Sequence, residues 1–334
     1  MTPLVSIIIV NWNGCEMLDA CLASVYTQEF PAYEVVVVDN GSVDQSIPMV
    51  QAKYPQARLL ALEKNTGFCY ANNHGVREAL GEFVVLLNND TEVESTWLRP
   101  LYDFIVQYPD VAACDSKVLY DEHRDVIWSA GALYSPAGTA HPRAYGEYDD
   151  ERFSAVTEVF GAVACSAIYR REVFERLGGL DEDFFAGYED VDWSFRARAA
   201  GYRIFNVPAS RVYHKVSMTQ VHNSAPFVYR GQRNVEIVYL KNMPITLLLR
   251  YGLAHIFYVL GSGVYFICIG RGAAFWNGKI DAYKAISRTL EKRRQLSRGR
   301  RTSVRDLLFV MDRGWLRRKA LKLRKTWIDG RNRG

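Results

Sequence analysis

Two hydrophobic patterns alternate along the N-terminal third of the chain. Residues 4–10, 35–38, 58–62 and 83–87 are short apolar runs rich in Val, Ile and Leu, the pattern of strands buried on both faces. Between them, residues 15–28 place Met17, Leu18, Cys21, Leu22 and Val25 at helical spacing. Residues 46–54 and 68–80 read as two more helices. Pro48 falls in a first turn, where its missing N–H is tolerated, and Gly81 closes the second of them. Strands alternating with helices in this way predict an α/β fold, a Rossmann-like three-layer sandwich around a mostly parallel central sheet.

After Asp90 the alternation loosens. The pattern predicts a helix over 97–107, a strand over 111–118, a buried strand over 159–169 and a helix over 171–177 closed by Gly178-Gly179. A helix over 189–200 and a strand over 202–207 follow, while residues 120–155, rich in Tyr, Asp, Gly and Pro, read as a surface excursion. From Pro244 the character changes. Residues 251–270 contain no Asp, Glu, Lys or Arg, a length that could cross a bilayer, yet they include His255, Ser262, Gly252, Gly261, Gly263 and Gly270.

Charge bears on that segment. Residues 271–334 hold 20 basic and 5 acidic residues, +15, which leaves 21 basic and 32 acidic, −11, for the rest. A crossing would place the +15 tail on the side opposite the body, against the positive-inside tendency of a cytoplasmic body. The expectation is a body over 1–240, with halves at about 1–118 and 119–240, and a basic amphipathic helical region over 241–334. That region would rest on the cytoplasmic face of the inner (plasma) membrane as a peripheral or monotopic attachment, with Trp276, Trp315 and Trp327 at headgroup level. The start of the chain has no basic region or cleavage signal and reads as the first strand. Six scattered cysteines without a CxxC pair give no zinc framework and fit a reducing compartment.

Candidate chemistry gathers where strands end. The stretch 84–91, VVLLNNDT, passes from apolar residues into Asn88-Asn89-Asp90. Ligands of open α/β sheets sit beyond the carboxyl ends of the strands, so Asp90 would lie where a carboxylate can hold a hard cation; a simple polar turn is the alternative. Asp39, ending the second strand before Asn40-Gly41, could accept hydrogen bonds from a nucleobase or ribose, or close an Asx turn. No G-x-G-x-x-G or P-loop pattern follows a strand, so dinucleotide and Walker-type phosphate sites are not supported. The Asn65-Thr66-Gly67 turn and Asn72 flank the helix at 68–80, whose N-terminus could face an anion. The run from Gly178 to Asp192 packs carboxylates among aromatic rings, and a carboxylate desolvated there could serve as a general base. His214 follows the last strand and could complete a metal site with Asp90.

These stretches, in this order, resemble the family 2 glycosyltransferases with the nucleotide-diphospho-sugar transferase (GT-A) fold, in their rhamnosyltransferase-like branch. The resemblance rests on VSIIIVNWNG (5–14), VVVVDNGSVDQS (35–46), NTGFCYANNHGV (65–76), VVLLNNDT (84–91), the run 178–203 and VYHKVSMT (212–219). It implies that 1–118 is a nucleotide-sugar half and 119–240 an acceptor half. Asp39 would contact the nucleobase, with Asn11, Asn65, Gly67, Asn72, Asn88 and Asn89 on the donor side. Asn88-Asn89-Asp90 matches the family's D-x-D motif with Asn in its first position, so Mg²⁺ or Mn²⁺ would rest mainly on Asp90, with His214 completing the site. Asp190 matches the catalytic base, with Glu189 as second candidate, and Trp193, Asp192 and Phe185 fall on the acceptor side. The implied reaction is inverting transfer from a nucleotide-diphospho-sugar, first of all rhamnose from dTDP-rhamnose, to a polyprenyl-diphosphate-linked glycan. A nucleotidyltransferase on a sugar phosphate and a non-catalytic membrane scaffold are the rival readings. The former lacks a Gly- and basic-rich loop after the first strand, and the interleaved apolar helices of the tail fit lipid better than nucleic acid.

Overall fold

The computed structural model describes residues 3–215 and 223–314. In chain order the strands are β1 (Val5–Asn11), β2 (Tyr33–Asp39), β3 (Arg58–Ala61), β4 (Phe83–Asn88), β5 (Thr91–Val93), β6 (Val111–Tyr120), β7 (Ile127–Ser129), β8 (Ala132–Tyr134), β9 (Ala140–Pro142), β10 (Thr157–Glu158), β11 (Ser166–Arg170) and β12 (Arg203–His214). The helices are α1 (Cys15–Val25), α2 (Ser46–Lys53), α3 (Phe68–Glu78), α4 (Leu98–Gln107), α5 (Arg171–Arg176), α6 (Glu189–Ala199), α7 (Ala225–Asn242), α8 (Ile245–Cys268), α9 (Gly272–Lys284), α10 (Ile286–Arg298) and α11 (Val304–Val310).

Strands β3, β2, β1 and β4 run parallel, as the alternation predicts. The sheet continues through β11, antiparallel to both β4 and β6, and then through β12, parallel to β6. Both faces are covered, which is why the strands read as unbroken apolar runs. Val5, Ile7 and Ile9 pack with Leu18, Leu22, Leu101 and Ile105 on one face; Ile8, Val36 and Val38 pack with Ala71, Val76 and Phe195 on the other. Helix α3 lies so close to the sheet that a Cβ on Gly75 would come within 2.5 Å of Ile8.

Three departures from the pattern shape the site. The apolar run 159–169 is not one strand: only Ser166–Arg170 joins the sheet, and Gly161–Cys165 form a turn whose amides bond to side chains. The last strand extends through His214, and β5, too short to show a period, pairs antiparallel with its end. Trp193, expected near an acceptor, is fully enclosed between Tyr169 and Phe174, with centroids at 4.8 and 5.7 Å. The ring gains apolar burial there, while its Nε1 has no hydrogen-bond partner.

The C-terminal helices are joined to the body. Leu247, Ala282, Leu307 and Met311 belong to the same core cluster as Ile8. The amides of Arg301 and Thr302 donate to the Ala199 carbonyl, bringing the chain back across the end of α6. Helix α8 buries a stripe of Leu247, His255 and Gly263 and exposes Leu249, Leu253, Ile256, Phe257, Leu260 and Val264. Its buried side is polar at the centre: His255 Nε2 lies 2.8 Å from Glu236 Oε2, and Lys279 Nζ lies 3.4 Å from Glu236 Oε1. Trp315, Trp327 and the 216–219 part of the last motif lie outside the described residues.

Candidate functional site

The carboxyl ends of β1, β2 and β4 meet at one edge of the sheet, where register sets Asn11 beside Asp39 and Val10 beside Asn88. The side chains there form one chain of hydrogen bonds. Asn89 Nδ2 donates to Asn11 Oδ1 at 2.7 Å, and Asn11 Nδ2 donates to Asp39 Oδ2 at 3.2 Å. Asp39 Oδ1 accepts the Ser42 N–H at 2.8 Å, so the turn the sequence offers as an alternative is present and fixes the carboxylate. Gly14 keeps this network closed, since a Cβ there would meet Asn89 at 2.6 Å and Asn11 at 2.9 Å.

Asn40, legible in the sequence only as a turn residue, fastens the next loop. Its Oδ1 accepts from the Thr66 N–H (2.8 Å) and hydroxyl (2.9 Å), and its Nδ2 donates to Asn65 Oδ1 at 3.2 Å. Asn65 Oδ1 in turn accepts the Gly67 N–H at 2.9 Å. Gly67 has φ 88°, and a Cβ there would strike the Phe185 ring at 2.6 Å, so this turn requires glycine on two counts. The Cys69 N–H is taken by the Phe185 carbonyl at 3.2 Å, so this amide of the first turn of α3 is not open to an anion. Asn72 is likewise turned inward, 1% exposed, with its Nδ2 donated to the Phe68 carbonyl of its own helix.

The pairing of β5 with β12 sets Thr91 opposite His214 and so brings Asp90 and His214 together. Asp90 Oδ1 and His214 Nε2 are 3.1 Å apart, both residues are buried, and Trp128 packs edge-on against the imidazole at 4.8 Å. Burial alone would lower the His214 pKa; the neighbouring Cys165 and Asp90 outweigh it and push it up to about 10. Asp90 Oδ1 and His214 Nδ1 are buried without a hydrogen-bond partner. In this state His214 carries the extra proton and pairs with Asp90; a divalent cation such as Mn²⁺ or Mg²⁺ would take the Asp90 carboxylate and displace that proton from the imidazole. Among the described residues no group of three or more His, Cys, Asp and Glu side chains forms a protein-only cage. The donor set therefore fits a cation whose remaining ligands come from substrate oxygens and water. Asn88 is aligned by its amide, which donates to the Cys165 carbonyl at 2.9 Å.

The start of α6 presents the other chemical group. Tyr188, in the left-handed region at φ 72°, turns the chain into the helix. Asp190 keeps some solvent access, and its Oδ2 lies 3.4 Å from the Ala164 N–H. Glu189 is 7% exposed, and its Oε2 has no partner. Burial pushes both carboxyls up; for Glu189 the adjacent Asp190 adds to it and the result is about 8. Residues 164 and 165 thus link the two centres: Ala164 touches Asp190, and Cys165 lies beside His214.

The rest of the acidic run has a different task. Asp192, expected toward an acceptor, is fully buried and accepts from Arg196 Nε (2.9 Å), Lys241 Nζ (2.9 Å) and Asn242 Nδ2 (2.8 Å). Asp181 and Asp183 bind Lys292, and Asp181 also binds Lys241, tying the run to α7 and α10. A cavity of about 570 Å³ opens there, but none of Asp39, Asp90, Asp190 or His214 lines it. Phe185 remains 40% exposed against the Gly67 turn.

A mixed α/β sheet, mostly parallel, with polar residues converging at its strand ends is the architecture of GT-A glycosyltransferases. The chain belongs to glycosyl transferase family 2, whose family profile matches residues 6–178. It is 32% identical over 241 residues to the O-antigen biosynthesis protein RfbC of Myxococcus xanthus, covering 67% of this chain and 18% of that protein. It is 26% identical over 266 residues to the N-acetylglucosaminyl-diphospho-decaprenol L-rhamnosyltransferase of Mycobacterium tuberculosis (strain ATCC 25618 / H37Rv), covering 70% of this chain and 86% of that one. The chain thus spans under a fifth of the first relative and most of the second. Among solved structures, GalNAc-T7 with UDP, GalNAc and Mn²⁺ shares the fold at a TM-score of 0.58 and 20% identity, over 71% of this chain and 48% of that one.

Proposed function

We propose that this glycosyltransferase moves a sugar, rhamnose from dTDP-rhamnose in the first instance, onto a hydroxyl of a polyprenyl-diphosphate-linked glycan, with inversion and with Mg²⁺ or Mn²⁺. The observation that carries the reading is the convergence at one sheet edge of Asp39, the Asp90–His214 pair and Asp190. Asp39, braced by Asn11 and Ser42, presents a fixed acceptor to a nucleobase or ribose. Asn65, Gly67, Asn88 and Asn89 shape the donor cradle around it. Bound by Asp90 and His214, a divalent cation would neutralise the departing nucleoside diphosphate. Asp190 takes the proton of the acceptor hydroxyl, and a single displacement needs no protein nucleophile. The Mycobacterium tuberculosis relative, by its name a rhamnosyltransferase acting on a decaprenol diphosphate, supports both sugar and acceptor class. Binding of UDP, dTDP and GDP and hydrolysis of their sugars, each with Mg²⁺ and Mn²⁺, tests the reading. The expected result is metal-dependent binding with dTDP-rhamnose turned over fastest; no binding by any of them would overturn it.

The same reading places the 241–334 region on the cytoplasmic face of the membrane, attached to the catalytic unit over 1–240. Helix α8 is long and apolar enough to cross a bilayer, with a mean hydropathy of 1.4. Its inner side is pinned through His255 to Glu236 on α7, which also meets Lys279 on α9; a lone crossing helix would break that pair and carry the imidazole into lipid. A helix lying in the interface, apolar face outward and basic tail against anionic headgroups, meets both facts. Leu253 and Phe257 share the outer face and are each 72% exposed. Burying each such side chain is worth about 1.5–3 kcal/mol. Leu253→Asp with Phe257→Asp should therefore lower partitioning onto vesicles of phosphatidylglycerol and phosphatidylcholine by more than about tenfold. Unchanged co-sedimentation of that variant would count against the membrane assignment.

A further inference from the structure

Asp115 is a buried carboxylate that the proposed chemistry leaves unused. It sits on β6 between β11 and β12, opposite Ala167 and Asn206, and is 1% exposed. Both of its oxygens accept from donors: Oδ2 from the Val163 N–H at 3.0 Å, Oδ1 from Asn206 Nδ2 at 3.1 Å. Val163 belongs to the turn that replaces the first half of the expected strand. Three successive amides of this turn go to three side chains: Ala162 to Ser194 Oγ (3.3 Å), Val163 to Asp115 and Ala164 to Asp190 Oδ2 (3.4 Å). The next residue, Cys165, gives its carbonyl to the Asn88 N–H and lies beside His214. One short turn thus spans the candidate base and the candidate metal pair, and Asp115 is the anchor beneath its centre.

We propose that Asp115 is a positioning residue for Asp190, acting through the 162–164 turn. The inference rests on Asp190 being the base. Asp115 reaches neither solvent nor cleft, so it touches no substrate. It fixes the peptide whose neighbour fixes the Asp190 carboxylate, and a 3.4 Å contact leaves that oxygen free to take a proton as well. Burial raises the Asp115 carboxyl to about 7, against the hydrogen bonds from Val163 and Asn206 that favour its ionised form. The other titratable groups facing Asp190 are Glu189 and Tyr188 at the start of α6 and Tyr169 on β11.

Asp115→Asn is informative because both partners are donors. An amide keeps one acceptor, so with Val163 N–H on its oxygen its NH₂ faces Asn206, whose side-chain amide must turn over to offer its unpartnered Oδ1 and so give up its bonds to the Asp115 and Ser116 carbonyls. In the full chain, kcat with the nucleotide sugar that wild type turns over should fall about tenfold or more. Binding of UDP, dTDP or GDP with Mn²⁺ should keep its affinity and its stoichiometry, which shows that the whole sample is folded. The acid limb of kcat/KM should move to higher pH, because the displaced Ala164 N–H no longer favours the ionised form of Asp190; a merely structural role would leave it in place. Asp190→Asn is run beside it. If that control keeps wild-type turnover, the base assignment itself fails. If the control is inactive and Asp115→Asn is fully active, or loses nucleotide binding in step with turnover, only the positioning role fails. Should Asp115→Asn not fold, Ser194→Ala removes a milder anchor of the same turn. It should lower kcat several-fold at unchanged nucleotide affinity, and a wild-type kcat there would overturn the inference.

Discussion

Asp190→Asn should abolish sugar transfer, by at least about a thousandfold, while nucleotide binding stays within about twofold of wild type. The substitution keeps shape and the oxygen that accepts the Val191 N–H at 2.7 Å, but an amide cannot take the acceptor proton. Nothing in the Asp39 or Asp90 networks passes through this side chain, so the donor cradle should survive. The pH dependence follows from burial. The working base is the ionised form, and burial favours the neutral one, so the Asp190 pKa lies above the usual aspartate range. kcat/KM should therefore fall as pH drops, and should do so at a higher pH than an exposed aspartate would give. Glu189 competes for the same role: it is adjacent, raised to about 8, and carries an unpartnered Oε2. Its enclosure argues against that role. Glu189→Gln should keep transfer and leave the acid limb nearly in place, because Glu189 is already neutral where Asp190 ionises. Steady-state kinetics with a nucleotide sugar across pH 4–9 separates the two carboxylates; near-wild-type turnover in Asp190→Asn would sink the assignment.

The parallel core and its strand ends were legible because they depend on local pattern. Apolar runs mark strands buried on two faces, and the polar residues that follow them fall at one sheet edge whatever the rest of the chain does. What the pattern hid depends on pairing at long range. Strand β5 is three residues long and exists because β12 runs past Val207 to meet it. Without that pairing, Asp90 and His214 are two isolated polar residues. The apolar run 159–169 reads as one strand because periodicity cannot show that amides 162–164 are held by Ser194, Asp115 and Asp190 instead of by a neighbouring strand. The acidic run divides for the same reason. Asp181, Asp183 and Asp192 have cationic partners on α7 and α10, out of reach of any local rule, and so become ties of the C-terminal helices to the body; the Asp192–Arg196 pair, four residues apart on α6, is the local exception. Trp193 follows the helical phase of Val191 and Phe195 only loosely, yet the space beside Tyr169 and Phe174 takes the whole indole.

Asp90→Ala is the second large effect. Among the described residues no third His, Cys, Asp or Glu joins Asp90 and His214 in a cage, and Asp90 is the carboxylate of the pair. On the proposed function a cation held there would be completed by diphosphate oxygens, so metal and nucleotide would bind as one unit and the loss should appear in both. In calorimetric titrations, wild type should bind a nucleoside diphosphate far more tightly with Mn²⁺ than without. Asp90→Ala should lose that difference, an effect of about 100-fold or more, and should bind with the metal no better than wild type does without it. His214→Ala should retain part of the difference, since a water can take the place of a neutral ligand but not of a charge. Asn88→Asp supplies the converse test. Asn88 ends β4 one residue from the Asn89–Asn11 link, and an added carboxylate there should strengthen Mn²⁺-dependent binding if its side chain faces the cation. Undiminished Mn²⁺ dependence in Asp90→Ala would remove the metal from this edge of the sheet and leave the diphosphate to be neutralised elsewhere.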